Sequence, residues 1–180
     1  MKKLAFFSSL LATVMFVSVS CGGDDDPRPA SGSEINSFGW TFSSISITSP
    51  NASLTLNGNT LQLADMLSAA NKDKVKYLTG AALQFNSSNI VITGLPEGQI
   101  LKNVTIQASD KAITSLDLGS ITGTSSAITF ADNTVVDFLN KVCDSLYKNK
   151  SIALNASVST GDQTISGVSI AITLTAKLNW

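Results

Sequence analysis

The sequence predicts a mostly β protein: an antiparallel two-sheet sandwich carrying two short helices. Three observations lead there. Val168, Ile170, Ile172, Leu174, Ala176, Leu178 and Trp180 alternate with Ser169, Ala171, Thr173, Thr175, Lys177 and Asn179. Period-two alternation of that length puts one face in a core and the other in water, as antiparallel sheets do. Shorter runs of the same kind recur along the chain, separated by Gly/Asn/Ser/Pro clusters that suit turns. Charged residues are 14% of the chain, well below the ~25% of an average globular protein.

The strands are expected at 38–48 (Phe38, Trp40, Phe42, Ile45, Ile47), 52–57 (Leu54, Leu56), 75–86 (Val75, Tyr77, Ala81, Leu83, Phe85) and 89–95 (Ile90, Ile92). Further runs lie at 101–108 (Leu101, Val104, Ile106), 113–122 (Leu116, Leu118, Ile121), 127–131 (Ile128, Phe130) and 151–158 (Ile152, Leu154, Val158). Trp180 keeps phase with the buried face of the last strand and reads as core.

Two segments change period. Leu63, Met66, Leu67 and Ala70 fall at i, i+3, i+4 and i+7, as do Val135, Phe138, Leu139 and Val142, with Leu146 one turn further. That is the stripe of an amphipathic helix. Thr60 and Thr134 are the expected N-caps, and Asp65 and Asp137 are placed in the opening turns, near the positive dipole end.

The two helices follow echoing stretches. Ser46–Leu61 aligns without a gap to Ser120–Val135, and Asp65-Met66-Leu67 matches Asp137-Phe138-Leu139 after a two-residue slip. A unit of this length is no solenoid repeat. It implies an internal duplication, two halves sharing one core in a two-sheet sandwich. An immunoglobulin-like arrangement is the first expectation and a closed or half-closed barrel the second.

The amino terminus has a different character. Met1-Lys2-Lys3 is a short positive stretch, and Leu4–Val19 follows without a charge. This is the pattern of a cleaved export signal, residues 1–20, rather than of a membrane span. Ser18 and Ser20 flank Val19, and Cys21 comes next. Small-x-small-Cys resembles a bacterial lipoprotein signal, with Ser18 where that motif usually carries Leu. The following Gly22-Gly23-Asp24-Asp25-Asp26-Pro27 resembles the acidic surface-export signal of Bacteroidetes lipoproteins. The resemblance implies that Cys21 becomes the acylated (palmitate-bearing) mature N-terminus, that Asp24, Asp25 and Asp26 direct export, and that the protein sits on the outer membrane facing outward. An acidic, Gly/Pro-rich run cannot fold alone, so 21–36 is expected as a flexible tether and 37–180 as a single domain.

Charge and composition exclude several activities. Lys and Arg number 12 against 13 Asp and Glu; without Lys2 and Lys3 the balance is 10 against 13, the wrong sign for a nucleic-acid partner. The chain has no His, which removes imidazole catalysis and His metal sites. Cys143 lies beside the apolar face of the second helix, where a free thiol packs as core. No G-x-S-x-G, S-x-x-K or phosphate-loop pattern occurs. The carboxylates of 65, 73, 97, 110, 117, 132, 137, 144 and 162 are scattered singly, with Asp110 and Asp132 reading as turn residues. No catalytic site, metal or cofactor is therefore expected. Asp144-Ser145-Leu146 resembles the short O-glycosylation acceptor of Bacteroidetes. Tyr77, Tyr147 and Trp40 are the candidate exposed rings, each expected first as core or edge packing.

These readings converge on a non-enzymatic, lipid-anchored surface module that binds a protein or polymer or serves in adhesion or the envelope. A fimbrial subunit is one variant. The second expectation is a glycan-binding accessory lipoprotein of a polysaccharide-uptake system.

Overall fold

A computed structural model describes residues 28–180. The elements are β1 (Ser33–Ile47), β2 (Ser53–Gln62), β3 (Gly80–Leu83), β4 (Asn89–Thr93), β5 (Ile100–Ala108), β6 (Leu116–Thr122), β7 (Ile128–Phe130), α1 (Asn133–Asn149), β8 (Ser151–Thr160) and β9 (Ile165–Asn179). Single 3-10 turns occupy Leu63–Met66, Lys72–Tyr77 and Phe85–Ser87. One sheet runs β1-β9-β4-β7, with β3 sharing the β9 edge beside β4; the other runs β2-β8-β5-β6. All pairings are antiparallel. The expected sandwich is present.

Its connectivity follows from one construction. The pairs β1·β9, β2·β8, β4·β7 and β5·β6 make the chain a single long antiparallel ribbon, closed at β5–β6. Even the arches between strands pair. Asn51 N–H donates to the Gly161 carbonyl at 2.6 Å, and Gly123 N–H to that of Gln99 at 2.7 Å. Rolling the ribbon brings β9 beside β4 and β8 beside β5, which is the jelly-roll order. The immunoglobulin-like variant is thereby corrected. That fold pairs sequence neighbours such as A with B and F with G within its sheets, whereas among the described residues here β5 and β6 are the only consecutive strands that pair.

Exchanging β1 with β6, β2 with β7, β4 with β8 and β5 with β9 turns the order of one sheet into that of the other. The echoing stretches 46–61 and 120–135 fall on the β1–β2 and β6–β7 arches, elements which that exchange equates. The equivalents diverge straight afterwards. The second amphipathic stripe forms the 17-residue α1, but the first forms only the 3-10 turn Leu63–Met66, with Leu67 already extended. The capping explains the difference. Asp132 Oδ1 accepts from Thr134 N–H at 2.8 Å and Val135 N–H at 3.1 Å, satisfying two of the free amides at the helix start. Gln62, before the first stripe, makes no such bond. Neither Thr60, which lies inside β2, nor Thr134 is a cap, and Asp137 lies beyond the first turn of α1.

The core is the facing surfaces of the two sheets. Trp40, Phe42, Ile90, Ile92, Ile170, Ile172 and Leu174 come from one, and Leu101, Ile106, Ile152, Leu154 and Val158 from the other. Val135, Leu139, Val142 and Leu146 of α1 close one part of it. Gly58 is demanded by this packing: a methyl there would land on the Leu154 carbonyl and against Trp40. Two expectations shift. Strand β1 begins at Ser33, so residues 33–36 of the expected tether belong to the sheet. The expected strand at 75–86 is largely turn. Lys74-Val75-Lys76-Tyr77 alternates like a strand, but it sits in a 3-10 turn with no strand beside it, and only Gly80–Leu83 pairs.

Candidate functional site

One recess lies where four segments meet: the entry to β1, the turn Lys72–Tyr77, the entry to β3 and the end of β9. It has a volume of about 410 Å³ and is lined by Arg28, Pro29, Ser31, Lys76, Tyr77, Leu78, Thr79 and Trp180. Among the described residues, the lining contains two cations and no carboxylate side chain.

Local bonds hold each wall. Trp180 N–H donates to the Gly32 carbonyl at 3.0 Å, and Gly32 N–H to that of Trp180 at 2.9 Å, extending the β1–β9 ladder to the recess. Gly32 also lets the indole lie close, because a methyl there would come within 2.9 Å of the ring. Lys74 Nζ stands 4.8 Å from the Trp180 ring centroid, and Lys76 Nζ 4.9 Å from that of Tyr77, within cation–π range. Thr79 N–H donates to the Asn179 carbonyl at 2.8 Å. Tyr147 Oη donates to the Leu78 carbonyl at 3.2 Å, tying the wall to α1.

Glu34 fixes the turn from behind. Its carboxylate accepts from Asn71 Nδ2 at 2.9 Å, Asn36 Nδ2 at 2.7 Å and Ser68 N–H at 3.1 Å. These bonds, led by that from Asn71, hold the carboxyl below its ordinary 4.5. They join the first strand to the loop that leads into Lys72–Tyr77.

Tyr77 Oη is buried and has no hydrogen-bond partner among the described residues. Leaving such a group unpaired costs about 1–3 kcal/mol. None of the three candidate rings stands exposed, in keeping with core or edge packing. Trp40 is 3% exposed and donates from Nε1 to the Asn59 carbonyl at 2.8 Å. Trp180, expected as core, sits past the end of β9, half-buried on the wall of the recess. Tyr77 and Tyr147 are half-buried.

The remaining candidates separate. Cys21, Asp24, Asp25 and Asp26, with the 1–20 signal, lie outside the described residues. Cys143 is 1% exposed, and its thiol is pushed up to about 11, first by burial and then by Asp144. Among the described residues no group of three His, Cys, Asp or Glu side chains could hold a metal, and no helix is long and apolar enough to cross a membrane. Asp110 accepts from Ala112 N–H at 2.9 Å, as a turn residue does, and also from Ser145 Oγ at 2.6 Å. Ser145 is buried, so the Asp144-Ser145-Leu146 hydroxyl is committed inside the fold rather than offered at the surface. Asp117 holds Gly119 N–H at 2.8 Å and shares with Asp137 and Lys141 a second recess of about 450 Å³.

No known family model matches the chain, and no curated protein does. A solved chain from Desmodium yellow mottle tymovirus is similar at 12% identity and a TM-score of 0.40, over 84% of this chain and 89% of that one.

Proposed function

We propose that the protein is a non-enzymatic lipoprotein of the outer membrane, anchored through Cys21 and exposed at the cell surface, where it binds a ligand at the Arg28–Trp180 corner in an adhesive or envelope role. The observation that carries this reading is the position of the recess. Arg28 lines it and stands seven residues after Cys21, so at full extension the corner stays within about 25 Å of the acyl chains. Two or three chains anchor durably where one holds marginally. The chemistry elsewhere supports a binding role. The thiol is buried and stays protonated, while Asp110, Asp117 and Asp132 serve turns and a helix cap. A glycan-binding accessory role in polysaccharide uptake is the second reading, favoured by the Trp180 and Tyr77 rings at the recess.

Metabolic labelling with a palmitate analogue tests the anchor. Label is expected on the parent chain and absent from Cys21→Ala, which should leave the membrane fraction. Protease added to intact cells should cleave the parent. An unlabelled parent, or identical fractionation of the two chains, overturns the anchor.

A further inference from the structure

We propose that the recess bounded by Arg28, Tyr77 and Trp180 binds an acidic saccharide, a pyranose bearing a carboxylate. This rests on the binding reading above and specifies its ligand. The guanidinium of Arg28 presents paired donors in a planar fork, the geometry that engages a carboxylate through two parallel hydrogen bonds. Among the described residues that line the recess, none carries a side-chain carboxylate. Ser31 and Thr79 are exposed on the rim; Thr79 Oγ1 donates to the Asn179 carbonyl at 3.2 Å and keeps its lone pairs for a sugar hydroxyl. The half-buried rings of Trp180 and Tyr77 supply apolar wall, matched to the C–H surface of a pyranose. A bare inorganic anion would leave those rings unused. The volume of about 410 Å³ falls in the range of small-molecule sites and has room for a mono- or disaccharide.

Tyr77 Oη supplies the independent sign. A buried hydroxyl without a partner is destabilising, and such groups persist where function uses them. Tyr77 lines the recess, and a sugar hydroxyl or ring oxygen that reaches Oη becomes its partner. The same saccharide chemistry can arrive as a free oligosaccharide or as the headgroup of a glycolipid, since the corner lies close to the anchor.

The mature chain with Cys21→Ala is titrated by calorimetry and Trp fluorescence with galacturonate oligosaccharides, the neutral galactose series, and inorganic phosphate. Removing the lipid keeps a failure of binding separate from a failure of anchoring. The acidic series is expected to bind at least tenfold more tightly than the neutral one, with a change in Trp180 emission, Trp40 being enclosed. Arg28→Ala is expected to lose at least tenfold, as removal of a charge-assisted pair does. Tyr77→Phe is expected to weaken binding while leaving the melting temperature unchanged or raised, a combination that a structural hydroxyl would not produce. Vesicles bearing a uronate-headed glycolipid form the second arm. Capture by those vesicles without affinity for free oligosaccharide assigns the headgroup as the source. Equal binding of acidic and neutral sugars, binding of phosphate as tight as that of galacturonate, an unaffected Arg28→Ala, or no binding of either uronate form at millimolar concentration overturns the proposal.

Discussion

Cys143 shows how one residue can be reactive by type and inert by position. The folded thiol keeps its proton to about pH 11, against an ordinary 9.0. Between those values the unfolded state has lost a proton that the native state retains, so stability falls as pH rises. The sign follows from a raised folded value: the contribution is whole below pH 9 and is lost on the way to 11. At about 1.4 kcal/mol per unit, the loss is on the order of 2–3 kcal/mol. Chemical denaturation at a series of pH values should show this arm in the parent and a flatter one in Cys143→Ala; equal slopes would contradict it. In a chain whose Cys21 is blocked, a thiol reagent at pH 8 should label only after denaturant is added. Glu34 works the opposite way. Its depressed carboxyl contributes above its ordinary 4.5, and the contribution is lost as pH falls through the lower folded value. Sequence pointed to Cys143 as core because a residue next to Val142 on a helix shares its apolar side. It was silent on Glu34, whose partners Ser68 and Asn71 are distant in the chain.

At the scale of elements, capping and pairing partners outweigh periodicity. The stripes at 63–70 and 135–146 are near twins, yet one is a 3-10 turn and the other a 17-residue helix. Asp132 makes the difference at the start of α1, and Lys150 ends it in the left-handed region at φ 66°. Asp132→Ala is expected to cost about 1 kcal/mol, within the 0.5–2 kcal/mol range for lost caps, read as a lower denaturation midpoint with an unchanged slope. An unchanged midpoint would place the nucleus of α1 elsewhere. Strand β9 conforms to its alternation until Thr175, which is buried where the pattern expects water. Residues 84–88 bulge over it: Thr175 Oγ1 donates to the Ser87 carbonyl at 2.8 Å, and Thr175 N–H donates to Ser88 Oγ at 3.0 Å. A connection that packs over β9 from between β3 and β4 leaves no trace in the alternation of β9 itself.

For the whole molecule, the ribbon makes the first and last strands partners: Ser33 opposes Asn179 and Trp40 opposes Ile172. Such non-local pairing must close the chain before contacts reward it, which slows folding. Refolding followed through the emission of buried Trp40 is expected on the millisecond-to-second scale; a microsecond phase with full amplitude would mean that β1 docks without β9. The same topology creates the recess, since Arg28 and Trp180, near opposite ends of the chain, meet only when β1 and β9 zip together.

Alternation of apolar residues and clusters of turn formers sufficed, from sequence alone, for the two sheets, most strand positions, the second helix and the burial of Cys143. These are local properties, because side-chain period and backbone preference act within a few residues. The rolling of the ribbon, the fate of the first helical stripe and the corner that joins Arg28, Tyr77 and Trp180 belong to the tertiary structure. Strand partners are chosen by which apolar faces can be buried together, and that choice depends on the whole chain closing around one core.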